Sequence, residues 1–344
     1  MVIRIFAIAL LVFLLSGCGA ASLARDVFRH GIFEQEFTQS GDYANPYTDV
    51  TATATFIRPD GRRRSIPLFW DGSSTWKVRF SPDMVGDWSW SVASSDSGVD
   101  GTSGSFSCVP SSNHGGIMPM AGYPYHFQYQ DGTPYWLFGD TQWESFADDP
   151  SRNLTHDSML HYFDVRAAQG FNYVHSQLFG QVRASNGGSN GKLDPAFYSY
   201  KAETINPAYF QESDSRVAYA NSREITLGII PTESHSSVAE NFLNSWGEFP
   251  NETARLRYAR YVVARYSAYN VTFIVTTEWN GGTPSTSEAM NAVGARFDAI
   301  GREMSENDPH KRLLGIHETQ QQTNQAWFYG DPYGKWTTFG DYKQ

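Results

Sequence analysis

Val271 to Thr277 is an unbroken run of β-branched and aromatic residues with almost no polar alternation. Such a run predicts a strand buried on both faces, as in a parallel sheet covered by helices. It ends in Glu278, Trp279 and Asn280, followed by two glycines that break the strand. A carboxylate, an indole and an amide thus stand where a buried parallel strand emerges, the edge at which α/β folds bind ligands.

The same kind of patterning divides the whole chain in two. From about 26 to 112 the signals are all β. Short alternating stretches at Thr51–Ile57, Ser65–Trp70, Thr75–Phe80, Asp87–Val92 and Gly104–Val109 are punctuated by Asp-Gly, Pro-Asp and Ser-Gly turns. Strands at this spacing predict an antiparallel sandwich of the immunoglobulin type. Trp70, Trp76, Trp88 and Trp90 fall in or beside these strands, mostly at alternating positions, so core packing is their expected role. A polar, Gly-rich link at Ser111–Gly116 closes this region.

Beyond the link, strand patterns alternate with helical ones. Strands are expected at Tyr135–Asp140, Phe171–Phe179, Glu224–Pro231, Val271–Thr277, Arg312–His317 and Trp336–Tyr342. Helices are expected at 157–169, 251–269 (capped by Asn251) and 287–305. Alternation with hydrophobic strands means a parallel sheet. The first strand-to-helix turn holds no G-x-G-x-x-G and no phosphate loop, so a (β/α)₈ barrel over 116–344 is expected rather than a nucleotide-binding sheet. A full barrel takes about 250 residues, so roughly six of its eight units are expected within this span, with the chain short at its C-terminus.

Composition changes this picture in three ways. Charged residues are 18% and aromatics 15%, which suits a globular protein that stacks sugar rings on indoles and phenols. A formal net charge of −10 with no basic stripe argues against nucleic acid and polyanionic substrates. The N-terminus is a targeting segment: a short positive start, an apolar core from Ile5 to Leu15 too short to span a bilayer, then Leu15-Ser16-Gly17-Cys18. That last motif resembles a bacterial lipoprotein box, which would make residues 1–18 a signal peptide, Cys18 the lipidation site and the membrane an anchor. Cys108 is then the one thiol left, expected as a small buried hydrophobe.

The candidate chemistry gathers at the expected strand ends. These offer Asp140, Thr141 and Trp143; His175 and Gln177; Glu233 and His235; Glu278, Trp279 and Asn280; His317 and Glu318; and Asp341 and Gln344. Glycosidic cleavage needs one carboxylic acid to protonate the leaving oxygen and a second carboxylate as nucleophile or base. Amides, histidines and indoles around them would hold hydroxyls and ring faces. A zinc site could draw on His175, Glu233, His235 and His317, but no H-E-x-x-H and no helical His pair at i,i+4 exists. No G-x-S-x-G elbow supports a serine triad. No metal, other cofactor or protein partner is expected.

Several of these stretches carry a family resemblance. Phe138-Gly139-Asp140-Thr141-Gln142-Trp143, Arg166-Ala167-Ala168-Gln169-Gly170-Phe171-Asn172, Ala264-Arg265-Tyr266 with Asn270-Val271, and Leu314-Gly315-Ile316-His317 resemble the apiosidase-like family of glycoside hydrolases. Asn45–Val50, Phe69–Gly72 and Gly86–Trp88 resemble the immunoglobulin-like domain of unknown function that often precedes such barrels. The resemblance implies a (β/α)₈ barrel, glycosidase activity on a poly- or oligosaccharide, and a proton donor at the end of the fourth strand, here Glu278. Asp140, Trp143, His175, Gln177, Glu233, Trp279, Asn280 and His317 are then the expected substrate-binding residues. The family often has an aspartate after glycines where this chain has Thr-Thr-Glu-Trp-Asn, and its second carboxylate usually comes from a late strand. The rival expectation is a cell-surface glycan-binding protein without turnover.

Overall fold

The structure is a computed structural model that describes residues 25–148, 154–179, 195–232, 246–279, 287–318, 337–338 and 341–342. Its N-terminal part contains β1 (Arg25–Phe28), β2 (Phe33–Thr38), the one-turn α1 (Pro46–Asp49), β3 (Ala52–Ile57), β4 (Arg63–Pro67), β5 (Phe69–Gly72), β6 (Thr75–Phe80), β7 (Gly86–Ser94) and β8 (Ser103–Val109). They form a five-stranded sheet in the order β1-β8-β7-β3-β4 and a three-stranded sheet in the order β2-β6-β5. Strict alternation in β3 and β7 sends every second side chain inward. The two sheets therefore share one core, in which Phe56 of β3 stacks on Phe80 of β6 at 4.1 Å and Phe33 of β2 on Phe106 of β8 at 4.6 Å. Trp76, Trp88 and Trp90 are buried in it, as is Cys108, whose thiol burial pushes up to about 11. The stretch expected as one strand from Ser65 to Trp70 changes sheets at Leu68: β4 belongs to the larger sheet and β5 to the smaller.

A three-stranded antiparallel unit that the pattern did not reveal follows: β9 (Ile117–Met120), β10 (Tyr123–Tyr129) and β11 (Pro134–Tyr135). It corrects the first expected strand. Tyr135 pairs with Phe127 in this unit, and the parallel sheet begins only with β12 (Gly139–Thr141). Trp136, Leu137 and Phe138 bridge the two; they are exposed, Trp136 by 80%.

The parallel part then alternates: α2 (His156–Ala168), β13 (Tyr173–Gln177), a small hairpin of β14 (Phe197–Ser199) and β15 (Thr204–Ile205), α3 (Pro207–Ser222), β16 (Thr226–Ile230), α4 (Glu252–Tyr266), β17 (Val271–Ile274), α5 (Ser287–Asn307), β18 (Leu314–Gly315), β19 (His317–Glu318) and β20 (Asp341–Tyr342). Thr155 and Ser158 form a capping box at α2, and the Asn251 side chain accepts from the Ala254 amide at α4. The sheet order β12-β13-β16-β17-β18 follows the sequence without reversal, every neighbour being parallel, and β19 pairs with β20 in parallel. A doubly wound sheet would reverse its order at a switch point. This parallel sheet fits part of a barrel wall.

Alternation along these strands separates two faces. Val174, Leu227, Ile229, Phe273 and Leu314 pack with the helices in the larger core. Tyr173, His175, Gln177, Gly228, Thr272 and Ile274 occupy the other face. There Tyr173 of β13 reaches across β16 to hydrogen-bond Thr272 of β17 at 2.9 Å. A Cβ on Gly228 would lie 2.1 Å from the Tyr173 hydroxyl oxygen, so only glycine admits this crossing.

The two parts meet through buried charge. Arg79 of β6 donates to Asp214 of α3 at 2.7 Å and to the Arg265 carbonyl of α4 at 3.2 Å. Arg265 donates to both oxygens of Asp214 and pairs with Asp71 of β5 at 2.8 Å. Burial opposes ionisation of Asp214, but the Arg265 and Arg79 guanidiniums outweigh it and hold the carboxyl below the ordinary aspartate range.

Candidate active site

The chain leaving β12 stays bonded to the end of β13. The Gln142 amide donates to the His175 carbonyl at 3.0 Å and the Gln177 amide to the Trp143 carbonyl at 3.1 Å. This sets the Trp143 ring 5.7 Å from His175, between centroids. His317 arrives from the far side of the sheet: its ring lies 6.3 Å from Trp143, nearly perpendicular, and 6.1 Å from His175. Trp143 follows the first strand of the parallel order and His317 the fifth. In a flat sheet those strands would stand about 19 Å apart, four spacings of ~4.8 Å. Contact between the rings means that the sheet is curled, with its C-terminal strand ends drawn to one rim.

Glu278 sits on that rim. The amide of Trp279 donates to the His317 carbonyl at 3.1 Å, and the His317 amide donates to the Thr276 carbonyl at 3.2 Å, so strand four and strand five end side by side. Glu278 is half-buried and has φ of 38°, in the left-handed region that non-glycine residues seldom occupy. Such backbone strain costs about 1–3 kcal/mol and clusters at functional positions. Trp143 is partly open to solvent, whereas His175 and His317 line the rim as largely buried walls and Gln177 lies deeper still. Glu318 pairs with Tyr342, and His317 with Asp341, in the β19–β20 ladder.

Two expected site residues prove to belong elsewhere. Asp140 lies one position out of phase with the inner face, between Gly139 and Thr141. Its carboxylate accepts from Arg166 Nε at 2.5 Å and Tyr162 at 2.8 Å on α2, and from the Thr141 amide. It locks strand one to the first helix instead of facing a ligand. Trp279 is 0% exposed and belongs to the core between sheet and helices, so it offers no platform to a sugar. Glu233, His235, Asn280, Gln344 and Cys18 lie outside the described residues. Among the described residues no three His, Cys, Asp or Glu side chains gather as a metal site.

The stretches around Asp140 and Arg166 turn out to touch one another. Besides the Asp140–Arg166 pair, Asn172 accepts from the Phe138 amide and donates to the Trp136 carbonyl, and Phe138 stacks on Phe171 at 4.3 Å. These contacts tie strand one down, while Trp143 beyond it reaches the rim. Gln142, Ser145 and Ser176 carry no local signal of a part in the rim. The Ser145 amide donates to the Ser176 hydroxyl at 3.2 Å, fixing the loop behind Trp143. No periodicity marks such loop contacts.

Comparison with known proteins bears on the family and the fold. The model of the apiosidase-like catalytic domain matches residues 124–340, well over half of the chain, and that of a domain of unknown function, DUF5060, matches residues 26–95. Among solved structures, a glycoside hydrolase candidate from Bacteroides vulgatus superposes with a TM-score of 0.68 at 24% identity, over 86% of this chain and 57% of that one. A glycoside hydrolase family 5 protein from the same organism gives a TM-score of 0.48 at 17% identity, over 66% of this chain and 44% of that one. The chain thus spans 57% of the length of the first of these structures and 44% of the second. No curated protein matches it significantly. With a glycoside hydrolase-like fold, a sheet-rich N-terminal region and a catalytic-domain match over most of its length, the chain belongs to the apiosidase-like family.

Proposed function

We propose that this protein is a glycoside hydrolase acting on plant or microbial poly- or oligosaccharide, with Glu278 as general acid/base. The observation that supports the reading is the backbone at Glu278: it is left-handed, lies just beyond the fourth parallel strand, and is followed by the Trp279 amide, which bonds the His317 carbonyl, while the His317 ring meets those of Trp143 and His175. Trp143 would stack on a sugar face, His175 and His317 would bind hydroxyls or orient Glu278, and Gln177, Glu233 and Asn280 would complete the sugar contacts. The immunoglobulin-like nature of the N-terminal sandwich, eightfold closure of the barrel, and a second carboxylate taken from a late strand belong to the same proposal. A Glu278→Gln variant, assayed on a panel of plant and microbial polysaccharides, should lose about 10²–10⁴-fold in kcat while still binding the glycan. Full residual turnover would sink the assignment, and binding without turnover in the unaltered protein would favour a glycan-binding role.

The protein is further proposed to be exported and anchored to the cell envelope through lipid on Cys18. Each buried methylene of an acyl chain adds ~0.8 kcal/mol, so several chains on one residue hold a protein stably. Cys18→Ser should move it from the membrane fraction to the soluble one. An unchanged distribution would reject the anchor.

A further inference from the structure

The loop that carries Trp143 is held by the end of β13 on one side and by a buried arginine on the other. Residues 142–148 meet the end of β13 on one side, through the Gln142, Gln177 and Ser145 bonds described above. On the other side stands Arg216 of α3, which is 0% exposed. Its Nη1 donates to the Ser145 carbonyl at 2.9 Å and the Ala147 carbonyl at 3.4 Å. Its Nη2 donates to the Asp148 carboxylate and to Glu212 at 3.2 Å. Glu212 also meets Nδ1 of His156, the first residue of α2, at 2.5 Å. A charge seeking only neutrality would be served by the two carboxylates. The two carbonyls belong to the loop itself, and a planar guanidinium fork fixes their directions as a lysine ammonium cannot.

The geometry points to Arg216 as a positioning residue of the rim. It clamps 142–148 so that the Trp143 ring stands against His175 and His317, while Asp148 and Glu212 balance its charge. The clamp links the loop after strand one to the helices of the first two strand–helix units. That it serves sugar binding rests on the hydrolase reading; that it orders the loop does not.

The test uses the full chain with Arg216→Lys, Asp148→Asn, Trp143→Ala and the Arg216→Lys/Trp143→Ala double variant. Hydrogen exchange is followed at amides 142–148, and kinetics on whichever polysaccharide or 4-nitrophenyl glycoside the unaltered protein hydrolyses. Arg216→Lys keeps the charge, and should unfold cooperatively while exchange at 142–148 quickens about tenfold. KM should rise about tenfold with kcat within about twofold, as in Trp143→Ala, and the double variant should be no worse than Trp143→Ala alone. Asp148→Asn, which removes one arm only, should shift exchange in the same direction by less. Unchanged exchange in both folded variants, or KM losses that multiply in the double variant, would overturn the inference. An unaltered protein that hydrolyses nothing in the panel would instead overturn the hydrolase reading, and exchange alone would decide the clamp.

Discussion

A single position in a strand decides which face a side chain serves, and Asp140 shows the consequence. Shifted by one from Gly139 and Thr141, it turns to α2, where Arg166 and Tyr162 bind it. Burial opposes its ionisation, but Tyr162, the Thr141 amide and Arg166 outweigh this and keep its pKa below the ordinary value. Hydrogen bonds to charged groups contribute about 1.5–3 kcal/mol, reduced here because the pair is partly exposed. Asp140→Asn is therefore expected to lower stability by about 1 kcal/mol in urea unfolding and to leave kcat/KM for a hydrolysed substrate within about twofold. A large loss of kcat in a fully folded variant would return Asp140 to the site.

Among the elements, helix α3 lacks a clean apolar stripe in the sequence. Its buried face includes Ser213, Asp214 and Arg216 beside Tyr209, Phe210, Val217 and Ala220, so charge interrupts the apolar stripe. Those charges are inward because each is spent on a neighbour: Asp214 on the sandwich, Arg216 on the site loop. Asn206-Pro207, a cap followed by proline at the first turn, was the signal that could have revealed it. The strands carry a different constraint. Gly228 lets Tyr173 of β13 reach Thr272 of β17 across β16. Gly228→Ala would drive a methyl group into that hydroxyl and ring, with an expected cost of about 1–3 kcal/mol. Thermal unfolding that matches the unaltered protein would show that the crossing is not needed.

Across the whole molecule, the sandwich and the parallel sheet are joined by an ion network that water hardly reaches. Removing one partner of such a buried set costs about 3–5 kcal/mol, because the remaining charges lose their compensation. Asp214→Asn removes the carboxylate that Arg79 and Arg265 share but leaves Glu34 on Arg79 and Asp71 on Arg265, so a loss at the low end of this range, about 3 kcal/mol, is expected at neutral pH. The pH dependence follows from the depressed carboxyl. Stability from Asp214 is complete above the unfolded aspartate value of about 3.9 and is lost as pH falls through the lower folded value. The difference between Asp214→Asn and the unaltered protein, measured by denaturant unfolding from pH 7 downward, should hold to about pH 4 and then shrink. A difference that stays constant into strong acid would remove Asp214 from the network's electrostatics.

Much was legible in the sequence because some constraints are local. Alternation in Thr51–Ile57 and Asp87–Val92, the apolar run before Glu278 and the Asn251 cap depend only on neighbours a few residues away; the first two and the cap emerged as expected, and the run is buried throughout although its strand stops at Ile274. The change in period marked the passage from all-β strands to parallel strands with helices, but not the antiparallel unit of β9, β10 and β11 between them. What lay beyond reach depended on partners distant in the chain. Tyr135 joined a hairpin with Phe127, Leu68 marked a change of sheet, and Asp140 and Trp279 faced packing helices instead of a ligand. No local pattern records which face of a curled sheet is the inside one. The convergence of Trp143, His175 and His317 exists because curvature brings the first and fifth strand ends together, and curvature is a property of the sheet as a whole. Local patterning dictated which residues were available to such a rim; strand pairing and sheet curvature selected which of them stand there, since facing and proximity exist only once distant strands are paired.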